Sequence, residues 1–139
     1  MAEYPFAAVI PTETKEDLPL FKEYAWDFEQ DCFIYDDNGE HVLLVGNAAL
    51  KVWCYKVLRT ERFMYLAYTK KFGIELYPFM AKIMSVLQRK SELRRMITEA
   101  LMVNEYISSV DSITFDEENR GEDMSIEIVL TTVYGELVI

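Results

Sequence analysis

The chain has 139 residues, 51% of them hydrophobic, which allows one core of ordinary size and excludes two. Its 14 Lys and Arg against 24 Asp and Glu give a formal net charge of -10, a balance that repels phosphate backbones and argues against nucleic acid as a partner. No window approaches the roughly 20 apolar residues that span a bilayer, and Met1 to Ile10 lacks both the basic start and the continuous apolar core of an export signal; the expectation is a reducing compartment, with Cys32 and Cys54 buried as small hydrophobes.

Residues 1–30 differ from the rest. Pro5, Pro11 and Pro19 punctuate a stretch that carries Tyr4, Phe6, Phe21, Tyr24, Trp26 and Phe28. Repeated proline opposes regular helix, and so many rings oppose simple disorder. The segment is expected to be an extended arm, lying over its own domain or over a neighbouring subunit, with Tyr4, Phe6, Phe21 and Trp26 as contact residues. Residues 31–139 then form a single domain.

Cys32 to Tyr35 and His41 to Val45 are short apolar runs separated by Asp36-Asp37-Asn38-Gly39-Glu40, and Asn-Gly between such runs predicts a β-hairpin. The acidic turn is too short to supply the ligands of a calcium loop. A first helix is expected over 48–59, with Asn47 as N-cap and Leu50, Trp53, Cys54, Val57 and Leu58 on one face. Val52 and Tyr55 lie off that stripe, so the helix is either central to the fold or turned toward another protein.

Phe63 to Tyr68 reads as a strand covered on both faces. A second helix is expected from near Glu75, with Pro78 in its first turn and Leu76, Phe79, Met80, Ile83 and Leu87 inward. In the third, Ser91 is the expected N-cap and Leu93, Met96, Ile97, Ala100, Leu101 and Asn104 follow helical spacing. Arg95 and Glu99 are spaced for an i,i+4 pair. The local positive concentration of Lys82, Arg89, Lys90, Arg94 and Arg95 reads as an ion-pairing face toward an acidic neighbour or the chain's own carboxylates.

From Ile107 the period changes. Ile107 to Phe115 is β-prone, Asp116 to Asp123 is a charged turn, and Met124, Ile126, Ile128 and Leu130 alternate with polar or smaller residues, a second hairpin with one face buried. After Gly135, Leu137, Val138 and Ile139 close the sequence as a short β-prone run. Such a run leaves backbone groups unpaired unless it joins a sheet, either its own or a partner's. The fold class is therefore α+β: about three helices on a small, mainly antiparallel sheet with two hairpins and an extended N-terminal arm.

Catalytic chemistry finds no seat. The one histidine, His41, sits beside a strand, and nothing in the spacing brings it to Cys32 or Cys54. Glu61 and Glu105 each follow a helix near an aromatic run, where ion pairing or helix-end packing accounts for them. The five glycines are dispersed, with no phosphate-cradling loop. The expectation is a non-catalytic protein without cofactor or metal.

One set of words in order carries a family likeness: Gly46-Asn47-Ala48-Ala49-Leu50, Trp53, Leu58-Arg59-Thr60-Glu61-Arg62, Tyr65, Tyr68, Phe72-Gly73, Ser91-Glu92-Leu93, Thr98-Glu99-Ala100-Leu101 and Asn104-Glu105-Tyr106-Ile107 with Val110. Over roughly residues 31–139 the chain resembles small prophage tail proteins similar to the lysozyme-like wedge component of contractile-tail baseplates. The resemblance implies a structural role in a virion or tail-like particle assembled in the bacterial cytoplasm. It implies six copies around the tail axis, other baseplate wedge proteins and the tail sheath protein as partners, and priming of the first sheath ring. It assigns wedge contacts to Glu61, Arg62, Phe72 and Gly73, places Glu105 and Tyr106 where the family carries a Glu-Pro-Arg stretch, and makes Leu137, Val138 and Ile139 a strand exchanged with the sheath. The alternatives are a particle-associated peptidoglycan hydrolase and an unrelated protein-binding adaptor.

Overall fold

The computed structural model describes residues 18–62, 64, 71–116 and 125–139, with the backbone alone at Tyr77. The expected contacts of Tyr4 and Phe6, the strand over 63–68 and the turn over 117–123 lie outside the described residues, apart from Met64, which is exposed.

The first short apolar runs pair as a ribbon. β1 (Lys22–Tyr24) and β2 (Trp26–Asp27) follow one another along the chain, antiparallel to β4 (Leu43–Val45) and β3 (Cys32–Phe33) respectively. Ala25 joins the two halves: its N–H donates to Val42 O at 2.7 Å, and its carbonyl accepts from Ile34 N at 3.1 Å. Residues 35–41 are therefore an excursion between the two partner strands. The predicted Asn-Gly turn closes it, with a Tyr35–His41 bridge and Gly39 at φ 78. The described part of the N-terminal segment is thus laddered to the chain's own next strands.

Gly46 then turns the chain into α1 (Asn47–Arg59), and it is this glycine, at φ 64, that occupies the N-cap position. Asn47, expected to cap, is the first helical residue instead. Its side chain is engaged elsewhere, accepting from Thr132 Oγ1 at 2.5 Å and donating from Nδ2 to Glu136 O at 3.2 Å. Helix α1 is the central helix. Leu50, Cys54 and Val57 face the main core and Val52 is equally buried, because the ribbon packs on one side while α3 and the C-terminal sheet pack on the other.

The second helix is one turn only, α2 (Leu76–Met80), and the third begins early, as α3 (Val86–Met102). Ser85, not Ser91, is the N-cap. Its hydroxyl accepts from Gln88 N at 3.3 Å while Gln88 Oε1 accepts from Ser85 N at 3.2 Å, a reciprocal capping box. Leu76 and Phe79 pack on the core as expected. Met80, Ile83 and Leu87 do not: the chain leaves helical geometry after Met80, so the three never share an inward face and all are exposed. The pair Arg95–Glu99 forms at 3.1 Å.

Asn104 makes the corner after α3, its Oδ1 accepting from Tyr106 N at 2.9 Å. β5 (Ile107–Phe115), β6 (Ile126–Thr132) and β7 (Gly135–Val138) then form an antiparallel sheet in the order β5-β6-β7. Gly135 does not end the structure but turns it, at φ 111, from β6 into β7. Leu101 and Leu130 are fully buried beside Leu50, each such side chain contributing roughly 1.5–3 kcal/mol. The whole is an α+β fold of three helices on antiparallel hairpins. One cysteine departs from expectation: Cys32, at the ribbon's edge, is exposed, whereas Cys54 is buried and its thiol is pushed up to about 12 by that burial.

Candidate functional site

The sheet has two edges, and they are not alike. Along β5 the register with β6 slips twice, between Ile107 and Ser109 and again between Val110 and Ser112. Asp111 lies in the second slip, accepting from Thr131 Oγ1 at 2.5 Å and Ser109 Oγ at 2.7 Å. Bulges and a fixed charge are devices that blunt an edge against strand addition. β7 has no bulge: although it includes the exposed Glu136, its four residues pair with β6 in unbroken register, Val129 to Val138 through Thr132 to Gly135.

That register decides which β7 groups are available. Ile139 exchanges both backbone bonds with Ile128, N to O and O to N at 2.9 Å each. Antiparallel pairs alternate between bonded and non-bonded, so Leu137 also faces β6, while Glu136 and Val138 turn their N–H and C=O outward. Asn47 Nδ2 takes the Glu136 carbonyl at 3.2 Å. The outward groups of Val138 have no strand beside them among the described residues. Side chains alternate the other way: Leu137 is buried, Val138 is 45% exposed, and Ile139 packs on the core margin.

Beside the end of β7 lies an apolar groove of about 460 Å³, bounded by Leu58 of α1, Leu76 of α2, Leu93 and Ile97 of α3, and Ile128 and Ile139 of the sheet. Lys51 and Arg59 stand at its rim. Arg59 is steadied by Asp31 at 2.8 Å, and the Tyr55 hydroxyl, with help from Arg59, holds the Asp31 carboxyl below the usual carboxylate range.

The structure draws four other expected site residues together. Glu61 bridges to Ile74 in parallel fashion, and its Oε2 accepts from Leu76 N at 3.0 Å. Arg62 donates from Nη2 to Gly73 O at 3.1 Å and pairs through Nη1 with Glu99 at 3.3 Å. Phe72 meets Trp53 edge-on at 6.1 Å. Gly73, at φ 101, lets the two passes of chain touch: a Cβ there would stand 2.6 Å from Thr60 O. These contacts tie the end of α1 to the start of α2.

A third cluster holds the beginning of the described chain. Tyr106 donates its hydroxyl to Pro19 O at 2.6 Å, and its ring lies 4.9 Å from that of Phe21. Phe21 N donates to the Tyr134 hydroxyl at 2.9 Å. Trp26 packs on Phe33, with the Lys56 ammonium over its ring at 4.9 Å. Glu105 is exposed beside Tyr106. Ser85 and Thr132 are positioning residues that sequence reasoning did not single out, while Asn47 and Asn104 were expected in other roles, as a cap and on a helix face; the Ser-x-x-Gln spacing of Ser85 and Gln88 was the readable signal for the first.

No group of three or more metal-ligating side chains occurs among the described residues, and none of their helices is long and apolar enough to cross a membrane.

Comparison with known proteins places these features. Residues 22–135 match the model of a family described as contractile injection system sheath initiators. The chain is 30% identical over 135 residues to the phage-like element PBSX protein XkdS of Bacillus subtilis (strain 168), an alignment covering 95% of this chain and 94% of the relative. The likeness to the lysozyme-like wedge component is thereby corrected, since both matches point to sheath initiation and phage-like elements and neither to that wedge component. Many of the short words that suggested it fall on α1, α3 and the corner at Asn104, where Leu50, Leu101 and Ile107 are core residues. The chain belongs to the contractile injection system sheath initiators, structural and non-catalytic proteins of phage-type contractile tails.

Proposed function

We propose that the chain starts the sheath by offering the outer edge of β7 to a strand of the first sheath subunit. The observation that carries this reading is the contrast between the edges: β5 is bulged twice, whereas β7 is regular and turns the Val138 N–H and C=O outward. Main-chain bonds along such an edge give affinity with little demand on sequence, and pockets for alternate side chains give specificity. The apolar groove beside Ile139 supplies such a pocket, and its cationic rim suits an incoming strand with a carboxylate. Copies set around the tail axis, six in the simplest match to a sixfold tail, would present their edges as a ring. The wall formed by Glu61, Arg62, Phe72 and Gly73, together with the Tyr106 cluster, is then the rigid body through which baseplate neighbours hold each copy. The relative's description as a protein of a phage-like element agrees with that setting.

The test is seeding. Purified sheath subunits are mixed with substoichiometric amounts of this chain, and polymer is followed by light scattering and by pelleting. A shortened lag, with the chain found at filament ends, is the expected result. An unchanged lag, or the chain left wholly in the supernatant, contradicts the proposal.

A further inference from the structure

Two exposed patches, neither on β7, have opposite electrostatic character. The first is the shoulder between α2 and α3, where Met80, Ile83, Val86 and Leu87 are 67%, 103%, 68% and 80% exposed. Residues 82–90 include Lys82, Arg89 and Lys90 and no carboxylate, the Glu92 carboxylate lying close enough to Lys82 to be stabilised by it. Arg89 is fixed there, donating to Lys82 O at 3.0 Å with its guanidinium 5.7 Å from the Phe79 ring centroid. Four large apolar side chains next to one another in an exposed turn and helix start are more than scattered surface hydrophobes.

The second patch is the outer face of the N-terminal ribbon. Tyr24 stands opposite Leu43, and Lys22 opposite Val45, so these side chains share one face. Tyr24, Leu43 and Val45 are 47%, 51% and 48% exposed, and Tyr35 is 56% exposed at the excursion beside them. The opposite face is the one turned to α1, as the Glu23–Lys56 pair at 3.5 Å records. Between residues 23 and 50 there are seven carboxylates and no Lys or Arg; Glu23 pairs with Lys56 on the opposite face and Asp31 with Arg59, and Lys22 is a cation on the exposed face. Asp36, Asp37 and Glu40 sit in the turn next to Tyr35, with the Asp36 carboxylate fixed by the N–H groups of Asn38 and Glu40 at 2.9 Å each.

We propose that the partner of each patch is the other patch on a second copy of this chain: the basic apolar shoulder of one molecule docks on the acidic apolar ribbon face of the next. Charge complementarity selects this pairing. A self-paired, two-fold contact would set cations on cations or carboxylates on carboxylates, at a cost of several kcal/mol for close like charges. A head-to-tail contact joins opposite signs, and repeated with a closing rotation it makes a ring. The contact deepens the ring arrangement by supplying neighbour-to-neighbour adhesion, and it leaves β7 free to meet the sheath.

The experiment uses the full chain in sedimentation velocity up to about 1 mM, where even weak specific contacts populate complexes. Two variants reverse one patch each: Lys82→Glu with Lys90→Glu, and Asp37→Lys with Glu40→Lys. The expected result is concentration-dependent association of the wild type, weakened by salt. Each variant alone should associate about tenfold more weakly or worse, and an equal mixture of the two should recover it. A monomeric wild type at all concentrations overturns the proposal, as does a variant that associates normally or a mixture that fails to recover. Circular dichroism establishes that both variants are folded. Seeding of sheath is measured alongside: neither variant alters β7, so loss of association with retained seeding, or the reverse, tells failure of this contact from failure of strand docking.

Discussion

Replacing Val138 with proline separates the docking role of β7 from its structural role. Trimming the last three residues would not. Leu137 is buried and Ile139 holds two backbone bonds to Ile128. Loss of a buried leucine costs about 2–5 kcal/mol and each backbone bond roughly 0.5–1.5 kcal/mol, set against a total stability of about 5–15 kcal/mol. A truncated chain would lose much of its stability, so failure to seed would not separate docking from folding. At Val138 the N–H points away from β6, so Val138→Pro removes no ladder bond and leaves Leu137 and Ile139 in place. Proline is tolerated at such edge positions, and the expected cost to stability is about 1 kcal/mol. Docking loses more. The outward donor is gone, worth roughly 1 kcal/mol, and the pyrrolidine ring blocks a strand from closing to bonding distance. Together these should lower seeding at least about tenfold, the equivalent of about 1.4 kcal/mol. The assay is the sheath lag time at matched folded concentration, with Val138→Thr, which keeps the N–H, seeding normally. Wild-type seeding by a folded Val138→Pro protein would refute the reasoning.

Other consequences are checked more simply. Gly73→Ala forces a Cβ to 2.6 Å from Thr60 O at a positive φ, and should destabilise the fold by about 2–3 kcal/mol in denaturant titration. Ser85→Ala removes half of the α3 capping box and should cost about 1 kcal/mol, whereas Ser91→Ala, inside the helix, should be nearly neutral or slightly stabilising. Thiol labelling at pH 8 should modify Cys32 at once and Cys54 only on unfolding, because Cys54 is fully buried and its thiol is pushed up to about 12. Equal labelling rates for the two in native protein would contradict the packing of α1.

What could be read from residues alone followed the strength of the local signal. The β5–β6 hairpin was legible because Ile126, Ile128 and Leu130 alternate cleanly and one face is buried, whereas the addition of β7 to it was one of two readings left open. Helix α1 was legible in extent, yet its second apolar face left two readings open. Only the packed ribbon accounts for Val52. The boundaries of α2 and α3 were lost because Met80, Ile83 and Leu87 continue a helical period that the backbone does not follow. There the spacing misled, and the Ser85–Gln88 box was the better guide. Asn47 was read as a cap because caps are local, whereas its partners Thr132 and Glu136 lie far along the chain. The site was legible in part. Leu137 to Ile139 stood out as a β-prone ending, but which backbone groups face outward depends on register, and register with β6 is not written in composition. The family likeness rested on short words, many of them on the packed faces of α1 and α3, and such words do not separate one family from another.

The central claim is that the outer side of β7 pairs with a sheath strand, and residue-resolved hydrogen exchange on this chain, free and bound at the end of a sheath filament, tests it most directly. The account predicts that the Ile139 amide, bonded to Ile128 in the fold, is slow in both states, while the Val138 amide is fast in the free chain and becomes slow on the filament. A Val138 amide that exchanges equally fast in both states, on filaments that the chain has seeded, would contradict it.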